Sequence, residues 1–216
     1  MNRAFENNNV TVEGKIISDF TFNHEIFGEK FYMMDVEVQR LSDTSDIIPV
    51  MISERLINVE EDYKERLIYV NGHFRSFNRH EENKTRLILS VFAKEVEFIE
   101  HAEDSAKSNQ IYLDGFICKE PIYRKTPLGR EIADLLIAVN RPYGKSDYIP
   151  CICWGRNARF VSGLKQGKRI SVQGRIQSRE YMKRIDEETT VKRLAYEVSV
   201  STIKFVEEIT NEEESN

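Results

Sequence analysis

Ser45-Asp46-Ile47-Ile48-Pro49-Val50-Met51-Ile52-Ser53 and Ser146-Asp147-Tyr148-Ile149-Pro150-Cys151-Ile152-Cys153-Trp154 are one strand written twice, about a hundred residues apart. Landmarks line up on either side of it. Val12-Glu13-Gly14 matches Leu113-Asp114-Gly115, Gly28 matches Gly129, and Gln39-Arg40 matches Asn140-Arg141. Further on, Tyr69-Val70-Asn71-Gly72 matches Ser171-Val172-Gln173-Gly174, and Glu97-Phe98-Ile99-Glu100 matches Lys204-Phe205-Val206-Glu207. A repeat whose unit has the length of a small domain means two copies of one fold, each large enough to bury its own core. The polar run Glu100 to Asn109 separates them, so the copies are placed at residues 1 to 104 and 108 to 207. Residues 208 to 216 have no alternating apolar face and are expected to form a solvated, disordered acidic tail.

The pattern inside each copy is mostly strand. In the second, Ile111 to Ile117 alternates and Ile132 to Val139 is a mainly apolar run; Tyr148 to Trp154, Arg169 to Ile176 and Ala195 to Val206 supply three more strands. Thr126-Pro127-Leu128-Gly129 has turn residues and is expected to join the first two as a hairpin. Asn157 to Gly163 fits a short helix between the third and fourth. That order predicts an all-β chain of two tandem OB-fold five-stranded barrels, each with a helix between strands three and four. The first copy offers a longer helical candidate, Glu54 to Arg66.

Charge separates the copies. Lys and Arg against Asp and Glu number 13 against 21 in residues 1 to 107 (−8), 18 against 11 in 108 to 207 (+7), and 0 against 4 in the tail (−4), which sum to the chain's −5. A basic copy attached to an acidic one points to a polyanionic partner for the basic copy.

Other classes find little support. There is no apolar stretch of signal-peptide or membrane-spanning length, so a cytoplasmic protein without a membrane partner is expected. Cys118, Cys151 and Cys153 are too few and too unevenly placed for a disulfide framework, and the last two read as small buried hydrophobes on one strand face. His24, His73, His80 and His101 lack zinc-site spacing and read as surface residues, so neither metal nor cofactor is expected. Gly144-Lys145-Ser146 resembles the end of a phosphate-binding loop, but Val139 stands where that motif needs Gly. No catalytic constellation emerges, and the chain reads as a non-enzyme.

Residues 110 to 207 resemble the bacterial single-stranded-DNA-binding protein family. The resemblance runs through Gly115, Pro127-Leu128-Gly129, Ile137-Ala138-Val139-Asn140-Arg141, Asp147 to Arg156, Leu164-Lys165-Gln166-Gly167-Lys168 and Val172 to Tyr181. It implies four aromatic platforms for bases at Tyr143, Tyr148, Trp154 and Tyr181. Stacking suits a binder indifferent to sequence, because every base has a π-face. Cations near them in sequence, Arg124, Lys125, Arg130, Arg141, Lys145, Arg156, Arg179, Lys183 and Arg184, are the candidates for phosphate contact. The first copy has Ser42, Ile47, Ser53 and Arg79 at the platform positions, so it is expected to serve structure, dimerisation or a protein partner. Its Phe20, Phe22, Phe27, Phe31 and Tyr32 read as core packing.

Two functions follow. The resemblance implies a sequence-tolerant binder that coats and protects single-stranded DNA during replication, repair or recombination, at the nucleoid, with replication or repair proteins as partners. The alternative is an OB-fold scaffold of a replication or transfer complex with weak incidental binding. Affinity for oligothymidine separates them, and competition with RNA tests the choice of nucleic acid. The family assembles four OB-folds, so a homodimer is expected. The family's tail usually ends in acidic residues followed by Pro-Phe, whereas this sequence ends Glu214-Ser215-Asn216, so recruitment of partners through such a tail is not expected.

Overall fold

Alternation of apolar and polar residues gives most strands of this chain one buried face, and their pairings trace two circuits. The structure, a computed structural model, describes residues 7–42, 44–81, 84–101, 107–184 and 189–206, without the side chains of residues 80, 81, 84, 85 and 183. The first half contains β1(Asn8–Ile16), β2(Thr21–Ile26), β3(Glu29–Gln39), β4(Ser45–Ser53), β5(Leu67–Glu81) and β6(Lys84–Phe98). The second contains β7(Asn109–Ile117), β8(Ile122–Lys125), β9(Glu131–Asn140), β10(Ser146–Trp154), α1(Gly155–Val161), β11(Arg169–Arg184) and β12(Thr190–Phe205). The chain is thus predominantly strand, of the OB-fold class. The expected junction residues 102–106 and the tail lie outside the described residues.

In the first half β1 pairs with both β3 and β5, β3 with β4, β4 in parallel with β6, and β6 with β5, so the pairings return to their start. The second half repeats the circuit through β7, β9, β10, β12 and β11. Val10, Val12 and Ile16 of β1 and Ile111, Leu113 and Ile117 of β7 face inward and are buried. The repeated glycines mark the tightest crossings. A Cβ at Gly14 or Gly115 would overlap the carbonyl of Glu37 or Ala138, and one at Gly72 or Gly174 would overlap that of Phe92 or Ser199. At the last two the strand also bulges.

Several expectations need correction. The Pro127–Gly129 turn joins the short β8 to β9, while β7 reaches β9 only at Phe116 and Ile117. All four residues of β8 are exposed, so no alternation announces it. The candidate helix Glu54 to Arg66 is a series of turns. Ser53 Oγ, Asn58 Oδ1 and Asp62 Oδ1 accept from the backbone N–H of Arg55, Glu60 and Lys64, the local competition by which short polar side chains displace a helix. Of the aromatics assigned to the first core, Phe22 is exposed. Phe27, at the β2–β3 turn with φ +51°, is 103% exposed. His73 is half-buried rather than on the surface, with Nδ1 2.5 Å from the Asn8 carbonyl, and burial lowers its pKa.

The halves do not stand apart. β1 pairs antiparallel with β7, Asn8 opposite Leu113 and Val12 opposite Asn109, and this joins all strands into one twelve-stranded sheet. Two matching ion clusters lock the seam. Buried Asp46 accepts from Arg40 of its own half, and from Arg175 Nη1 (2.8 Å) and the Ser178 N–H (2.7 Å) of the other. Buried Asp147 accepts from Arg141, and from Arg75 Nη1 (3.0 Å) and the Ser76 N–H (2.6 Å) across the seam.

Candidate nucleic-acid interface

Directly opposed residues of neighbouring strands share a face, so register alone assembles the candidate surface. On β10, Tyr148, Ile152 and Trp154 point outward by parity. Ile152 stands opposite Asp134 on β9 and Ser199 on β12. From Ser199 the same face continues through the pairs Arg175–Ser199, Gln177–Glu197, Arg179–Ala195 and Tyr181–Arg193. On the other side, Trp154 opposes Ile132, which opposes Arg124 on β8. One face therefore holds Tyr148, Trp154, Tyr181, Arg124 and Arg179.

Tyr148 is 45% exposed and Trp154 38%, partial burial that braces each ring at one edge and leaves surface for a ligand. Tyr143 is 99% exposed on a short 3-10 turn, Pro142–Gly144, just before β10. Its φ of +63° is a left-handed conformation that costs a side-chain-bearing residue about 1–3 kcal/mol, and no packing offsets it. Strain of this kind, held by the Arg141 N–H on the Lys145 carbonyl (2.7 Å), presents a ring to solvent. Tyr181 is half-buried on the β11–β12 hairpin.

The basic candidates divide. Lys125, Arg130, Lys145 and Arg156 are exposed around the rim. Arg124 is braced by Asp134 (Nε to Oδ2, 3.0 Å) and Arg179 lies 3.8 Å from Glu197. Arg184 is exposed near the hairpin end. The Lys183 side chain lies outside the described residues. Arg141 departs from the rim: its guanidinium is half-buried in the seam, on Asp147 and on the Ser76 carbonyl (2.9 Å), so its fork already has partners. Sequence reasoning misses Arg193, beside Tyr181, because only the long hairpin's register brings it there.

The first half has the equivalent face closed. Pro49 and Ser53 are buried and Met51 is 7% exposed. The β11–β12 hairpin reaches over this side, with Ser178 Oγ accepting from the Ile47 N–H (3.2 Å). Tyr196 packs there too. Burial, with the Asp35 carboxylate of the first half adding to it, pushes its hydroxyl up to about 12. The reciprocal contact braces the site: Ser76 Oγ accepts from the Tyr148 N–H at 2.7 Å.

Cys151 and Cys153 are buried, and burial raises both thiols, Cys153 to about 12. Among the described residues no group of three or more His, Cys, Asp or Glu could hold a metal ion, and no helix is long and apolar enough to cross a membrane.

Residues 108–206 match the single-strand binding protein family. A single-stranded DNA-binding protein of Clostridium tetani is 31% identical over 106 residues, 46% of this chain and 70% of that protein. The chain belongs to the single-strand binding protein family. Relatives named single-stranded DNA-binding proteins in Halalkalibacterium halodurans and Bacillus subtilis are each 33% identical over 106 residues, 46% of this chain. The match covers 61% and 59% of their own lengths. The crystal structure of the single-stranded DNA-binding protein from Thermus aquaticus superimposes with a TM-score of 0.74 at 18% identity, covering 93% of each chain. That likeness extends the shared fold over both halves.

Proposed function

We propose that this chain is a sequence-tolerant, non-catalytic binder of single-stranded DNA that coats exposed strands in replication, repair or recombination. The carrying observation is the outer face of the second half, where register sets Tyr148, Trp154 and Tyr181 beside Arg124 and Arg179, with Tyr143 and Lys145 at its edge. Stacked rings hold bases of any identity, at roughly 1–3 kcal/mol each, and exposed cations hold the phosphates between them. The magnitude is the general one for this type of binder. No reaction chemistry is needed for that work.

In this reading the chain is a pair of tandem OB-fold barrels, supported by the two closed circuits of strand pairing. The half at 108 to 207 carries the site. The acidic half at 1 to 104 is a retained copy whose equivalent face is covered. A homodimer, cytoplasmic location at the nucleoid, and replication or repair proteins as partners complete the proposal. Titrating oligothymidine into the protein tests it, because Trp154 is the sole tryptophan and a stacked base quenches its fluorescence. Binding without quenching leaves charge alone as the mechanism. Absence of binding favours the scaffold.

A further inference from the structure

A groove of about 770 Å³ runs along the seam between the halves. Gln173, Ser199 and Ser201 line it from the second half, and Gln39 and Ser42 from the first. Its charged lining residues are Arg40, Arg175 and Asp46. Two guanidiniums around one carboxylate leave one positive charge at a half-buried position on the seam, with Arg40 and Asp46 from the acidic half and Arg175 from the basic one. The second feature is continuity. Ser199 lines the groove and also stands opposite Ile152, which lies between Tyr148 and Trp154 on the outer face of β10. A ligand on the stacking face therefore meets the groove without crossing a barrier of backbone.

Resting on the function proposed above, we propose that the bound strand leaves the stacking face by this groove, so that the acidic half contributes to the binding path. The side chains of Gln39, Ser42, Gln173, Ser199 and Ser201 offer donors and acceptors to sugar and phosphate. The surplus charge of the Arg40–Asp46–Arg175 cluster attracts the backbone as it passes. Base identity plays no part there, in keeping with a sequence-tolerant binder. A mononucleotide-sized ligand fits the volume as well, but the continuity with the stacking face selects the strand.

The test adds charge without touching the ion cluster or the stacking rings. Ser42→Glu and Gln173→Glu alter exposed groove residues on either side of the seam, and Thr21→Glu adds the same charge at an exposed position on the edge strand β2. Each full-length variant is titrated at low salt with oligothymidines from about 4 to about 16 nucleotides, the span of site sizes for one such fold. A carboxylate close to a phosphate weakens binding about five-fold in water. The expected result is that loss for the longer strands in Ser42→Glu and Gln173→Glu, no change for the shortest, and no change at any length in Thr21→Glu. Wild-type affinity of both groove variants for long strands overturns the groove path, as does an equal loss at all lengths. If the wild-type chain shows no Trp154 quenching with any oligothymidine, the stacking reading itself fails, and that outcome is distinct from the other two.

Discussion

Replacing Asp147 with Ala removes the centre of one seam cluster and leaves its surroundings intact. The carboxylate is fully buried and accepts from two guanidiniums and one backbone N–H, Arg141, Arg75 and Ser76. Removing it strands Arg75 and Arg141, whose side chains are 25% and 26% exposed, and orphans the Ser76 N–H. Breaking a buried pair from one side destabilises by about 3–5 kcal/mol, most of it from the charges left behind. For a chain of this length that corresponds to a fall of roughly 6–20 °C in Tm, at about 2–4 °C per kcal/mol. Glu120→Ala is the control, since its partner Lys165 is 73% exposed and an exposed pair contributes about 0–1 kcal/mol. Thermal melting followed by circular dichroism reads both. If Asp147→Ala melts within about 2 °C of Glu120→Ala, the seam is held by β1–β7 pairing and apolar packing, and the ion clusters are not structural.

Trp154→Ala and Tyr148→Ala remove rings but no charge, so each is expected to weaken oligothymidine binding by roughly 1–3 kcal/mol with the salt dependence nearly unchanged. Lys145→Ala and Arg156→Ala are expected to lower the slope of log affinity against log salt by about 0.7 for each phosphate that no longer meets a cation; the same titrations at several salt concentrations separate the two classes, and a change of slope from the ring variants argues against stacking. Gly174→Ala places a Cβ against the Ser199 carbonyl at the β11 bulge, where the nearest atoms are all backbone of Ser199 and Val200 and no flexible side chain can yield, so unfolding in urea is expected to shift to clearly lower concentrations. Light scattering at micromolar concentration is expected to give the mass of two chains, and a monomer refutes the homodimer.

Much of the site is legible because strand parity is local. Tyr148 and Trp154 fall on one face for any chain that makes β10 a strand, whereas Tyr143, on the turn before it, is legible only through the family resemblance. Tyr181 needs more, since its place beside Arg193 depends on the register of a hairpin whose strands run for sixteen and sixteen residues. Arg141 shows where proximity in sequence misleads. It lies two residues from Tyr143, yet its guanidinium turns into the seam, because a buried carboxylate at Asp147 gives it partners that solvent cannot match.

The sequence by itself determined that one pattern is written twice, that the second copy is basic and has aromatic rings at four positions where the first has Ser42, Ile47, Ser53 and Arg79, and which face of the longer alternating strands turns inward. These properties follow from composition and from a period of two, which the longer strands carry in their own residues and the short β8 does not. Only the tertiary structure decided that the copies share a continuous sheet through β1 and β7, and that each half's hairpin reaches across the seam. It also decided that Asp46 and Asp147 are buried ion centres and that a polar groove opens beside the stacking face. Contacts between residues roughly 70 to 140 positions apart leave no local period, because the free energy that selects them comes from burying and pairing groups that meet only when both halves have folded.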